Sequence, residues 1–241
     1  MNEVGFNCWP WRHWSLLNPD AIALVYGEHS FTWQQLNLLV DKYASRLKEQ
    51  GVEQDHIVAA VSINNPDILW LYLACLRLGA CCVVLDPKQS FQQLNDKFDT
   101  LAAQFIWLPT SESSALPESQ YTNARKLVFT SSAGSKNLPI PTILSKAINN
   151  EAGAHAEHYD EVEWQGQRLA SLVFTSGSSG KAKAVAHCGD NHLHSAAGLL
   201  AVFNYTAQDS WLLSLPLFHV SGLAIVWRWL FAGGQMVLPT A

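Results

Sequence analysis

Apolar and polar positions alternate along this chain in two rhythms. Positions 21–26 and 29–31 predict a short hairpin turning at Gly27. Thr32 with Gln35 predicts a capping box, and Leu36, Leu39, Val40, Tyr43, Ala44 and Leu47 follow at helical spacing, ending at Gly51. Ile57–Val61 predicts a strand. Pro66 opens an apolar helix through position 78, with Gly79 as its stop. Positions 80–85 predict a buried strand, Ser90 and Gln93 start another helix, and 104–108 predict a further strand. Strands alternating with helices point to an α/β protein with layered, largely parallel sheets flanked by helices.

From Pro109 to about Gln167 the pattern weakens; only 127–129 predicts a strand there. His155 and His158 sit near Glu157 and Asp160, a spacing that suits a solvated acidic face better than a metal site. Beyond this stretch come a strand at 172–174, a helix at 191–202, a strand at 211–215, a helix at 221–231 and a strand at 235–238. Two segments are expected: 1–167 as a first α/β subdomain, and 168–241 as a loop-bearing segment that begins a second.

The strand at 172–174 runs into Thr175-Ser176-Gly177-Ser178-Ser179-Gly180-Lys181-Ala182-Lys183. Glycines let backbone N–H groups approach an anion, the hydroxyls add donors, and the lysines add positive charge. That chemistry suits a phosphate cradle. A Walker loop is excluded, because only Ser178 and Ser179 separate Gly177 from Gly180, and Ala182 follows Lys181. The plainer alternative is a solvated Ser/Gly loop; the strand before it and Lys183 after it favour the cradle.

Composition narrows the field. The chain has 241 residues, 49% of them hydrophobic, and a net charge of −5 without a Lys/Arg block, so nucleic acid is not an expected partner. No apolar run reaches the ~18 residues of a membrane span, and the N-terminus lacks a signal pattern. Five cysteines without a Cys-x-x-Cys pair read as free thiols of a reducing cytoplasm. The ten tryptophans read mostly as core aromatics. His187, His192 and His194 cluster without the partners that zinc would need, and no metal-ligating residue is assigned. Arg228 stands alone in an apolar helix, where an unpaired guanidinium is costly. Its partner is either a core carboxylate, a set of carbonyls, or a ligand carboxylate. Ser221 shares its helix face about 10 Å away by helix rise.

The stretch from Thr175 to Lys183 resembles the phosphate signature of the adenylate-forming superfamily, Thr-Ser-Gly-Ser/Thr-Thr-Gly-x-Pro-Lys-Gly. Ser179, Ala182 and Ala184 depart from it. Leu215-Pro216-Leu217-Phe218-His219-Val220-Ser221-Gly222 resembles the superfamily's second signature. Trp9-Pro10-Trp11-Arg12-His13-Trp14 and Trp227-Arg228-Trp229-Leu230 resemble the o-succinylbenzoate–CoA ligase branch, from menaquinone biosynthesis. The resemblance implies an ATP-dependent acid–CoA ligase that forms an acyl-adenylate and then a CoA thioester, with ATP, Mg²⁺ and CoA. It implies phosphate binding by Thr175, Ser176, Gly177, Ser178, Ser179, Gly180 and Lys183. It implies catalytic roles for Lys183 and His219, and contact of His219, Ser221 and Arg228 with an aromatic carboxylic acid. The superfamily's Tyr-Gly-x-Thr-Glu segment, ribose-binding Asp and C-terminal lysine are not found in residues 1–241. The expectation is therefore the N-terminal part of such a ligase, inactive alone and prone to self-associate through an unpaired strand at 235–238. A different aryl- or acyl-CoA synthetase, or a noncatalytic anion-binding fragment, stays open at this point.

Overall fold

The computed structural model describes residues 5–108, 124–127, 162–175 and 183–240. Helix α1 (Pro10–Leu17) leads into the hairpin β1 (Ile22–Tyr26) and β2 (His29–Thr32), then α2 (Trp33–Glu49). Next come β3 (Ile57–Val61), α3 (Pro66–Arg77), β4 (Cys81–Leu85), α4 (Phe91–Leu101), β5 (Phe105–Trp107) and β6 (Arg125–Leu127). The hairpin β7 (Leu169–Thr175) and β8 (Lys183–Cys188) follows, then α5 (Gly189–Leu200), β9 (Ser210–Leu212), α6 (Val220–Ala232) and β10 (Gln235–Leu238).

One sheet runs β2-β1-β10-β9 and a second β4-β3-β5-β6. The pairs β1–β10, β10–β9, β3–β4, β3–β5 and β5–β6 are parallel; β1–β2 and β7–β8 are antiparallel. The α/β expectation with largely parallel sheets holds. β10, from the second expected segment, pairs with β1 of the first, Leu24 opposite Met236. It also pairs with β9. The expectation of an unpaired strand at 235–238 is therefore wrong: β10 is an interior strand, and the sheet's edges are β2 and β9.

Alternation along the second sheet builds two cores. Val58, Ala60, Cys82 and Val84 face the larger core with α2 and α3. Ala59, Val61, Cys81, Val83 and Leu85 face a smaller one with Leu94, Phe98 and Leu101 of α4. β7 lies against that smaller core through Leu172 and Phe174. The expected capping boxes form: Gln35 N–H donates to Thr32 Oγ1 at 3.2 Å and Thr32 N–H to Gln35 Oε1 at 3.0 Å. Ser90 and Gln93 repeat the pair on α4. No helix among the described residues is long and apolar enough to cross a membrane.

Tryptophans join the N-terminal segment to the body. Residues 10–17 form a helix that opens on proline, a residue whose fixed φ suits the first helical position. Trp9 stacks on Trp11 at 5.1 Å, and Trp33 stacks on Trp229 at 5.0 Å. Trp14 Nε1–H donates to the Leu230 carbonyl at 2.7 Å and Trp229 Nε1–H to that of Ala23 at 3.0 Å. Gly233 ends α6 at φ +70°, and a Cβ there would sit 2.5 Å from the Trp14 ring. The helix foreseen at 191–202 begins earlier, because Asn191 is the third helical residue and its Oδ1 accepts from Cys188 N–H at 3.0 Å. The strand foreseen at 211–215 stops at Leu212, where Ser214 N–H turns back to the Leu212 carbonyl at 2.8 Å.

Candidate functional site

The β7–β8 hairpin carries the Ser/Gly loop. Thr175 and Lys183 are direct cross-strand partners at its loop end, and both are exposed. The strand expected before the loop is present and longer than 172–174. The loop was expected to lie between two strands, and β8 is the second, although its outer face is wet and its residues alternate poorly. Ser176, Gly177, Ser178, Ser179 and Gly180 lie outside the described residues. At the other end of β7, Ser171 is buried and lies 2.8 Å from His192 Nε2. His192 stacks on Trp227 at 4.9 Å with planes 6° apart, and Trp227 Nε1–H donates to the Tyr72 hydroxyl at 2.9 Å. Burial, then the nearby His187, lower the His192 pKa to about 4, so its ring is neutral at pH 7. His187 lies 5.4 Å from it, and His194 Nδ1 lies 2.7 Å from the Asp190 carbonyl oxygen.

The second signature occupies the turn between β9 and α6. Leu213 N–H donates to the Val237 carbonyl at 2.8 Å, keeping this turn on the sheet. Asn64, just past β3, grips it from outside: its Nδ2 donates to the Leu215 carbonyl at 2.9 Å, and its Oδ1 accepts from Leu217 N–H at 2.9 Å. His219 N–H donates to the Pro216 carbonyl at 3.1 Å and Gly222 N–H to the His219 carbonyl at 3.1 Å. This coil is tight enough that a Cβ on Gly222 would lie 2.1 Å from the Pro216 oxygen. The turn therefore requires glycine at 222, and it leaves His219 exposed at the N-cap position of α6.

The second signature and the β7 residue that precedes the Ser/Gly loop meet at a small cleft of about 70 Å³. Phe174, which precedes Thr175, lines it together with Phe218, His219, Asp86, Gln89 and Lys97. Lys97 Nζ sits 4.8 Å from the centre of the Phe174 ring. Burial lowers the Lys97 pKa, and the charge of Asp86 opposes that shift. Sequence reasoning missed Lys97, Asp86 and Gln89, since each reads locally as a polar helix or loop position. It missed Asn64 for the same reason; the adjacent Asn65, which caps α3 by accepting from Ile68 N–H at 3.0 Å, accounts locally for the Asn-Asn-Pro run.

Ser221 and Arg228 do not line this cleft. Ser221 is exposed and Arg228 half-buried on α6. The guanidinium carbon of Arg228 lies 5.6 Å from the centre of the Trp211 ring, and its Nε is buried with no hydrogen-bond partner among the described residues. Burial lowers its pKa, and no charged partner among the described residues acts on it. Of the two plain partners considered from the sequence, the core carboxylate is not there among the described residues.

Comparison with known proteins gives a consistent set of matches. A family profile described as AMP-binding enzyme matches residues 11–241. The 2-succinylbenzoate–CoA ligase of Escherichia coli (strain K12) is 35% identical over 233 residues, covering 97% of this chain and 45% of the relative. The ligase of the same name from Bacillus subtilis (strain 168) is 27% identical, covering 92% of this chain and 41% of the relative. A solved structure of wild-type E. coli MenE with a bound m phenylether-linked analogue of OSB-AMS matches at TM-score 0.77 and 33% identity, over 97% of this chain and 45% of that one. The chain thus spans less than half the length of the curated relatives it matches.

Proposed function

This chain belongs to the AMP-binding enzymes, and from that premise we propose that it supplies the phosphate and acid sites of an ATP-dependent acid–CoA ligase. The acid is o-succinylbenzoate, the substrate in the name of the E. coli relative. One observation carries the reading: Phe174, at the root of the phosphate loop, and Phe218-His219, from the second signature, line the same cleft.

The acid's carboxylate oxygen attacks the α-phosphorus of ATP, the bond to the β-phosphate oxygen breaks, and pyrophosphate leaves. The CoA thiolate then attacks the acyl carbon and AMP departs. Thr175 and Lys183 stand side by side and exposed at the hairpin's end, a hydroxyl donor and an ammonium suited to phosphate oxygens. Lys183 stabilises charge as pyrophosphate forms. Ser176, Gly177, Ser178, Ser179 and Gly180 complete the cradle. Mg²⁺ would come with the nucleotide, held by its phosphates beside Thr175 and Lys183, and would supply further neutralisation of phosphate charge. His219 lines the acid's path. Ser221 and Arg228 take the ring carboxylate, which does not react; a guanidinium fork reads a carboxylate through two parallel N–H bonds. The protein works in the cytoplasm, which fits five free cysteines, three of them buried.

The test is ATP–pyrophosphate exchange in a protein carrying these residues at the length of the curated relatives. Lys183→Ala lowers the exchange rate about 100-fold, as loss of one charge-stabilising donor does elsewhere. Arg228→Ala raises KM for o-succinylbenzoate and leaves KM for 4-oxo-4-phenylbutanoate, which lacks the ring carboxylate, nearly unchanged. Wild-type exchange in the Lys183 variant, or equal losses on both acids in the Arg228 variant, refutes the respective assignment.

A further inference from the structure

We propose that Trp211 is a positioning residue for Arg228, holding its guanidinium over the ring so that its terminal N–H groups stay available to a ligand carboxylate; this rests on the dicarboxylic-acid reading of Arg228 above. An arginine in an apolar helix can be held in two ways. An ion pair engages the donors at the edge of the guanidinium, and those donors are then spent. An aromatic ring engages its face, within about 6 Å, and leaves the edge free. Arg228 is held the second way: its guanidinium carbon is 5.6 Å from the Trp211 ring centre, and among the described residues its buried Nε has no hydrogen-bond partner and no charged group shifts its pKa. The geometry is that of a receptor waiting for an anion.

The ring is itself anchored. Tyr205 meets Trp211 edge-on, centroids 5.0 Å apart and planes at 82°. The Tyr205 hydroxyl donates to the Gln235 carbonyl at 3.1 Å, which ties it to β10, the interior strand of the first sheet. Next to Gln235, Gly234 leaves Tyr205 its place: a Cβ there would lie 2.6 Å from the Tyr205 hydroxyl oxygen. Phe203 packs on the ring at 5.3 Å and is itself half exposed. The support thus runs from Gly234 through Tyr205 and Trp211 to Arg228. Fixing a long arginine beforehand lowers the entropy lost when the carboxylate docks, so the benefit appears in affinity for the acid that carries that carboxylate.

The experiment uses the 241-residue chain labelled with ¹⁵N. The Arg228 Nε–H resonance is assigned through Arg228→Lys, and dissociation constants are measured for o-succinylbenzoate and for 4-oxo-4-phenylbutanoate. In the wild type the resonance carries a ring-current shift, and the dicarboxylate binds more tightly. Trp211→Leu abolishes the shift and weakens o-succinylbenzoate about 10-fold. It changes the monocarboxylate less than about twofold, since a cation–π contact that orders only Arg228 is silent for that acid. Trp211→Phe keeps a ring in place and recovers most of the affinity. An unchanged Arg228 resonance in Trp211→Leu, or equal weakening of both acids, overturns the proposal while leaving the reading of Arg228 intact. A wild-type chain that does not distinguish the two acids refutes that reading, and the proposal with it.

Discussion

Asn64→Ala tests whether the His219 turn is held from outside its own segment. The change removes three hydrogen bonds: Nδ2–H to the Leu215 carbonyl and Leu217 N–H to Oδ1, each at 2.9 Å, and a weaker one from Nδ2–H to the Leu213 carbonyl at 3.5 Å. The two ends of this clasp are not equal. Leu215 is exposed, so water can replace the lost donor at its carbonyl. Leu217 is only 1% exposed, and its N–H would be left without a partner. A net hydrogen bond contributes about 1 kcal/mol, and a stranded buried N–H costs about 1–3 kcal/mol. Because only the Leu217 end is stranded, a loss of about 2 kcal/mol is expected, which for a chain of this size lowers Tm by roughly 4–8 °C. Thermal unfolding measures the first quantity. Hydrogen exchange at the Leu217 amide and the chemical shifts of the His219 ring measure the local one; both change in the variant. A Tm within about 1 °C of wild type, with Leu217 exchange unaltered, would falsify the idea that Asn64 holds this turn.

Two further outcomes follow from buried geometry. His192, whose pKa is lowered to about 4 by burial and then by His187, is neutral when folded and regains its ordinary pKa when unfolded. Its contribution is present above about pH 6.5 and is lost as pH falls toward 4, by up to ~3 kcal/mol; denaturant titrations should show that fall in wild type and not in His192→Gln, and parallel pH profiles would refute it. Gly222→Ala forces a methyl group into a space where it would lie 2.1 Å from the Pro216 carbonyl oxygen, so the turn must open. The variant should lose about 1–3 kcal/mol and shift the His219 ring resonances, and a native spectrum with unchanged stability would show that the turn has slack.

The layered fold was legible wherever local chemistry and burial agreed. Thr32 with Gln35 and Ser90 with Gln93 announce helix starts by reciprocal hydrogen bonds that need nothing beyond the fourth residue. Strands β3, β4 and β5 of the second sheet are buried on both faces and read as continuous apolar runs. β8 was expected only as a second strand beyond the loop, without bounds or register, since Lys183, Val185 and Ala186 are exposed and only pairing with β7 makes them a strand. The interior place of β10 was also hidden. Its neighbour β1 lies more than two hundred residues back, and nothing in Gln235-Met236-Val237-Leu238 names that partner.

The site divides along the same line. The Ser/Gly loop and the Leu-Pro-Leu-Phe-His turn declare themselves because their chemistry is contiguous in sequence. The groups that complete the site come from the carboxyl ends of parallel strands: Asn64 follows β3, while Asp86 and Gln89 follow β4. Such strand ends are where the polar loops of an open α/β sheet gather, whatever their spacing along the chain. Asn64 and Leu217 are 153 positions apart, yet one hydrogen bond joins them. The segments around the two signatures are therefore joined through the second sheet and its helix: the loop after β3 braces the His219 turn on one side, and α4 places Lys97 over the Phe174 ring on the other. A change in that sheet's loops should act on both signatures together, which no reading of either signature alone would anticipate.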